Sequence, residues 1–375
     1  MLRSLGNVFR LGVKELRSLR SDLALSFLIV FAFTFAIYTV ATGVKFEVEE
    51  AAVAVVDDDR SALSRSISHA LLPPYFKPAE EIAGDAVDAA MDSGRFVFVL
   101  EIPANFEADV LAQKRPSILL NVDATAMSQA GNGAGYIQSI IAQEVLAYMA
   151  RSEGSVPTPI NLVVRARFNP NLQSGWFTPV MEVINNITML SLVLAGAALI
   201  REREHGTIEH LLVMPVTPTE IMLAKIWANG LVIVVAAALS LWLVVQRILD
   251  VPIVGSVPLF LAGAVLYQFS VTSLGLLVAT FTASMPQFSL LVFPIIILME
   301  LLSGNSTPME SMPGWLQTVM QISPSTHFVA FAQATLYRGA GLAIVWPYLA
   351  ALAGIGAAYF IVSLLRFRKA IASYQ

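Results

Sequence analysis

The sequence predicts an α-helical membrane protein with six transmembrane helices and a mixed α/β extracytoplasmic domain inserted between spans 1 and 2. Three observations carry this. The 375 residues are 56% hydrophobic and 13% charged, with a mean hydropathy of +0.70, whereas about 25% of residues are charged in an ordinary soluble domain. Six stretches are long and apolar enough to approach the ~20 residues that a spanning helix needs. The acidic residues, finally, gather in one place: residues 45–175 hold 17 Asp and Glu against ten Lys and Arg.

Residues 1–22 set Leu2, Leu5, Val8, Phe9, Val13, Leu16 and Leu19 on one helical face, with Arg3, Arg10, Lys14, Arg17 and Arg20 largely elsewhere. That pattern is a basic amphipathic helix on the inner membrane surface or, equally, a plain positive anchor. Span 1 covers residues 23–44; it is too long for the apolar core of a signal peptide and lacks a clear cleavage site. The remaining spans are residues 176–200, 226–247, 257–281, 287–303 and 341–366, and residues 367–375 form a tail. Short loops rich in Lys and Arg favour the cytoplasm. Arg201, Arg203, Lys225, Arg366, Arg368 and Lys369 therefore place both termini in the cytoplasm.

Within residues 45–175 the pattern alternates. Residues 51–56 read as a buried strand ending in Asp57, Asp58 and Asp59, and residues 61–72 and 79–92 as helices. Residues 95–102 form a strand, 106–112 a short helix and 117–122 a strand, followed by a helix at 135–150 and a last strand at 160–168. Strands alternating with helices predict a small α/β domain. The three aspartates are a solvated turn more readily than a cation site. Gly131, Gly133 and Gly135 only weakly resemble a dinucleotide fingerprint, since no strand directly precedes them.

The cytoplasmic segment 201–225 is not loop-like. Thr217, Pro218 and Glu220 make a capping box with proline at the first helical position, and residues 207–214 read as a short helix closed by Pro215. Two short helices at a proline-bounded turn form either a rigid knob that receives force or a stiff surface loop. Inside the spans, Glu182 with Asn185 and Asn186, and Glu300, fall toward the outer leaflet. Charges there are costly and mark functional positions, so these four residues are candidates for a substrate path, with interhelical bonding as the plain alternative. Residues 304–340, with Pro308, Pro313, Trp315 and Pro324, are too broken for a span and too apolar for a free loop. Short helices dipping back from outside, forming an outer gate or a passive lid, are expected.

The absences narrow the chemistry. With no cysteine there are no disulfides and no thiolate metal sites, and His205 and His210 have poor spacing for a metal. A net charge of -4 makes no case for nucleic acid. No Gly-x-x-x-x-Gly-Lys-Ser/Thr loop is present, nor a Gly-x-Ser-x-Gly or His-Glu-x-x-His constellation. The sequence therefore reads as a non-enzyme that binds no cofactor itself.

The run Arg201-Glu-Arg-Glu-x-Gly-Thr-x-Glu209, followed by Leu-Leu-x-x-Pro215 and a helix restarting before Lys225, resembles the segment between spans 2 and 3 of the type-2 (ABC-2) ABC transporter permeases. Gly304, Pro308, Met312, Pro313, Trp315 and Ser323-Pro324 extend that resemblance. The outer domain resembles the drug-efflux branch at Val55-Val-Asp-Asp-Asp-Arg-Ser61, Ile102-Pro-x-x-Phe106 and Val122-Asp-Ala-Thr125. The resemblance implies a homodimer served by two separate ATPase subunits that hold ATP and Mg, with a periplasmic membrane-fusion adaptor on the outer domain. It implies ATPase coupling through Glu202, Glu204, Gly206, Thr207, Glu209 and Pro215, in the segment that Thr217 and Glu220 restart as helix. The expected cargo is hydrophobic or amphipathic. Rival readings are a lipid or polysaccharide exporter and a receptor that senses a ligand through the outer domain.

Overall fold

The computed structural model describes residues 2–43, 48, 50–123, 127–153, 174–204, 216–305 and 307–372. The chain forms two compact units, Val44–Ser174 on one side of the division and Met1–Gly43 with Gly175–Gln375 on the other. The helical unit opens with α1 (Leu2–Ser21) and α2 (Leu23–Gly43). Asp22 starts α2 by accepting the Leu25 N–H at 3.1 Å, and a π-helical stretch, Ala32–Ala36, widens its middle.

The inserted unit runs β1 (Val53–Asp57), α3 (Ala62–Ala70), β2 (Glu80–Glu81), α4 (Val87–Asp92), β3 (Phe98–Ile102), α5 (Phe106–Leu111), β4 (Leu119–Val122) and α6 (Met127–Glu153). Its sheet has the order β2-β1-β3-β4; β1 is parallel to β2 and β3, and β4 is antiparallel to β3. Side chains alternate across a strand, so Val53 and Val55 enter the core under α3 and α6, while Ala54 and Val56 enter the smaller core with Val87 and Ala90 of α4. The aspartate run is a turn: Asp57 Oδ1 accepts the N–H groups of Asp59 (3.1 Å) and Arg60 (2.8 Å), and Asp59 Oδ2 accepts the Glu107 N–H at 3.0 Å. Among the described residues no cluster of three or more His, Asp or Glu is arranged to hold a metal.

Two predicted elements differ from the observed ones. The helix expected over residues 79–92 is instead β2, a 3-10 turn (Gly84–Ala86) and only then α4. The free edge of β1 needs backbone partners; it finds them where Lys77 donates to Ala51 O and Ile82 donates to Val55 O, both at 3.0 Å. The helix expected over 135–150 begins at Met127, so the three glycines lie inside α6. Gly133 packs on a core ring: a Cβ there would meet Phe98 Cζ at 2.2 Å. Gly133 therefore serves helix-to-sheet packing, and all three glycines lie in a helix rather than a phosphate loop. The strand expected at 160–168 lies outside the described residues.

Glu107 pins the first turn of α5 to α3, with Oε2 accepting the Leu63 N–H at 3.0 Å. That bond, helped by the Tyr148 hydroxyl and opposed by desolvation, holds the Glu107 carboxyl below its ordinary range. A depressed carboxyl stabilises the fold above its unfolded value of about 4.3, and the contribution disappears as pH falls through the folded value. Glu107→Gln is expected to lower the inserted unit's melting temperature at pH 7 and to shrink its fall between neutral pH and about pH 3. Thermal melts at both pH values check this.

The helical unit resumes with α7 (Thr178–Glu204), α8 (Pro218–Ile248), α9 (Val257–Ala279), α10 (Met285–Leu301), α11 (Gly314–Met320), α12 (Pro324–Ala332) and α13 (Leu342–Ala372). Five helices among those described are long and apolar enough to cross a membrane: α2, α7, α8, α9 and α13. The sixth expected span is α10, an apolar helix of 17 residues containing Pro294. At 1.5 Å per residue it measures about 26 Å, just under a hydrocarbon core of about 30 Å. Helix α7 is central, its apolar window 83% buried; α2 and α13, at 22% and 17%, are peripheral.

Candidate functional site

The last turn of α7 carries Arg201, Glu202, Arg203 and Glu204, and each side chain reaches a different element. Arg201 Nη1 lies 3.2 Å from Asp22 Oδ2, the residue that caps α2. Glu202 Oε1 lies 2.8 Å from Lys225 Nζ on α8. Arg203 Nη1 donates to Thr282 O (2.8 Å) and Ala279 O (3.4 Å) at the C-terminal end of α9. Glu204 Oε1 accepts the Met285 N–H at 3.0 Å, placing an anion at the N-terminus of α10. Four consecutive residues thus tie the end of α7 to the ends of four other apolar helices.

Lys225 is the centre of this hub. It is 1% exposed and also contacts Glu15 Oε1 of α1 at 3.1 Å. A buried ammonium is tolerated only when paired; here two carboxylates flank it. Helix α1 is held further by Trp227, whose Nε1 donates to Val8 O at 3.1 Å and whose ring stacks on Phe9 at 5.8 Å. Gly12 leaves room for that indole, since a Cβ there would lie 2.1 Å from Trp227 Cε2. The amphipathic helix therefore spends part of its surface on α8, which its sequence hinted at only through Glu15, the one acid among five basic residues. The capping box forms as predicted: Glu220 Oε2 accepts the Thr217 N–H at 2.8 Å and Glu220 N donates to Thr217 Oγ1 at 3.3 Å. Asn7 Nδ2 reaches the same carboxylate at 3.5 Å. From α13, Arg368 Nη2 donates to Thr219 Oγ1 at 3.4 Å, and Arg366 lies over the Phe281 ring at 3.6 Å.

Of the residues expected to couple to an ATPase, Gly206, Thr207, Glu209 and Pro215 lie outside the described residues, as does the helix expected at 207–214. Glu202, Glu204, Thr217 and Glu220 are bonded within the chain.

The first turns of α7 carry the other cluster. Asn185 Nδ2 lies 3.4 Å from Glu182 Oε2, and Asn305 Nδ2 donates to Asn185 Oδ1 at 3.2 Å. Glu300 of α10 lies within Coulombic reach of Glu182. Glu182, Asn185 and Glu300 therefore neighbour one another, together with Asn305, which the sequence reading missed. Asn186 does not belong to it: buried, it donates to Ala32 O at 2.9 Å, where the π stretch of α2 begins. Among the expected gate residues, Pro308 precedes a 3-10 turn and Pro313 precedes α11. Trp315 is 69% exposed, whereas Pro324 is buried at the start of α12. Ser325 Oγ donates to Met299 O at 3.2 Å, joining α12 to α10.

The family model described as ABC-2 family transporter protein matches residues 20–365. The chain is 53% identical over 370 residues to the inner membrane transport permease YhhJ of Escherichia coli (strain K12), covering 99% of each. It is 29% identical over 349 residues to the probable multidrug ABC transporter permease YbhR of the same strain, covering 89% of this chain and 90% of that one. To the probable multidrug ABC transporter permease YbhS it is 26% identical over 337 residues, covering 88% of each.

Proposed function

The chain belongs to the ABC-2 transporter family, whose permeases work with a separate ATPase, and from that premise we propose that it is the membrane half of an exporter of hydrophobic or amphipathic, drug-like compounds. Two copies, each with α10 as its sixth span, pair in a bacterial inner membrane with both termini cytoplasmic. Two partner ATPases hold ATP and Mg and dock on residues 205–215; an adaptor of the membrane-fusion type docks on the acidic outer unit.

The observation that carries this reading is the Arg201–Glu204 hub. A force applied to the segment following Glu204 acts on a turn bonded to α2, α8, α9 and α10, and through Lys225 to α1. Bonded networks of this kind carry coupling between elements when they have two discrete arrangements. A sensor needs no such tie among all its spans. The names of YbhR and YbhS support the drug-like class of cargo.

The cluster around Glu182 and Glu300 then lines the path and favours cations. Glu182→Gln and Glu300→Gln are expected to lower export of a cationic amphiphile at least about fivefold, equivalent to about 1 kcal/mol of lost differential binding, while a neutral compound of similar size changes less. Vesicle transport assays with the ATPase partner check this; an equal loss for both compounds counts against the role, and absence of any ATP-driven transport counts against the function.

A further inference from the structure

The outer unit contains a cavity of about 520 Å³ between α5, the segment leading into β4, and α6, within the range of about 300–1,000 Å³ typical of small-molecule sites. Phe106 and Val110 form its floor, and Ile141, Val145 and Met149 form one wall. These last three recur every fourth residue on α6 and so share a face. They border the main core yet are only half buried. An apolar stripe left half open beside a filled core is a surface shaped for something else.

The rim is polar and held at some conformational expense. Gln113 and Arg115, both lining residues, adopt φ of 57° and 55°, a left-handed region that glycine occupies more readily. Gln113 closes α5: its N–H donates to Val110 O (3.0 Å) and the Lys114 N–H to Asp109 O (2.9 Å), a stop at which glycine is the usual residue. Long polar side chains stand where glycine would cost less, and both edge the cavity. Lys114 is turned to Asp109, Nζ to Oδ1 at 2.9 Å. Among the described residues Arg115 has no carboxylate partner and is the one charged residue lining the cavity, in a unit where acids outnumber bases.

We propose that this cavity binds a small amphipathic anion: an apolar chain against Val110, Ile141, Val145 and Met149, and a carboxylate or equivalent head on Arg115. A guanidinium recognises such a head with a fork of N–H donors. The site lies wholly in the outer unit, and it stands or falls independently of the transport reading.

The test uses the full-length protein in lipid nanodiscs with a ten-carbon fatty acid bearing a terminal diazirine, and its methyl ester as the neutral control. Adducts are mapped by mass spectrometry and scaled to those on the spans, which report bulk partitioning. The acid is expected to label the α5 and α6 peptides at least fivefold more than the ester does. Arg115→Gln should erase that preference, and Val145→Trp, which fills the cavity, should remove the labelling while leaving the melting temperature unchanged. Equal labelling by acid and ester overturns the proposal in favour of an uncharged occupant such as an adaptor side chain; so does full labelling in Val145→Trp, or no labelling of these peptides in the unaltered protein.

Discussion

Replacing Lys225 by methionine is expected to destabilise the protein by about 3–5 kcal/mol, because it removes the buried cation that Glu15 and Glu202 share. Lys225 is 1% exposed, with Glu15 and Glu202 at 3.1 and 2.8 Å. The asymmetry of buried pairs makes the prediction specific. Removing one member leaves its partners unpaired, whereas replacing the whole group by apolar residues of similar volume is often neutral or favourable by about 1–4 kcal/mol. The triple variant Lys225→Met, Glu15→Leu, Glu202→Met should therefore recover the melting temperature that the single variant loses. Its substrate-stimulated ATP hydrolysis should stay low, since α1, α7 and α8 no longer share a charged tie. Melting of the purified transporter and its ATPase rate separate the two effects. A single variant that melts like the unaltered protein would mean that the triad holds nothing, and a triple variant with full stimulation would mean that it transmits nothing.

That hub was out of reach of sequence reasoning for a definite reason. Periodicity and capping rules speak about residues a few positions apart, and they gave the spans and the Thr217–Glu220 box. The partners in the hub are remote: Arg201 meets Asp22 at a separation of 179 residues, and Lys225 meets Glu15 at 210. Glu202 and Glu204 looked like exposed docking charges because their neutralising groups belong to other elements. The second cluster was half legible. Glu182 and Asn185 are three apart on one helix, but Asn305 arrives across 120 residues. Asn186, adjacent in sequence, is turned to α2 by the 3.6-residue period. β2 was missed because only the unpaired edge of β1, a tertiary fact, draws Glu80 and Glu81 into extended form.

Replacing residues 207–214 by a glycine-serine linker of equal length is expected to abolish the stimulation of the partner ATPase by substrate while leaving the permease folded. The boundaries matter. Cutting further, through residue 222, would remove the Thr217 cap together with Glu220, Ile221 and Met222, all three of them buried in the first turns of α8. Loss of function would then report a broken helix. A linker confined to 207–214 spares both the hub at Arg201–Glu204 and the cap at Thr217, so the melting temperature should hold. Coupling between sites is typically worth about 1–3 kcal/mol, or about 5–150-fold, and stimulation should fall by at least the lower figure. Basal hydrolysis by the ATPase alone should persist, because its chemistry does not lie in this chain. Grafting the linker and finding stimulation intact would remove residues 207–214 from the coupling path. It would shift the docking surface to neighbouring elements, such as α1, bonded to Lys225 through Glu15, and the end of α13, whose Arg368 reaches Thr219.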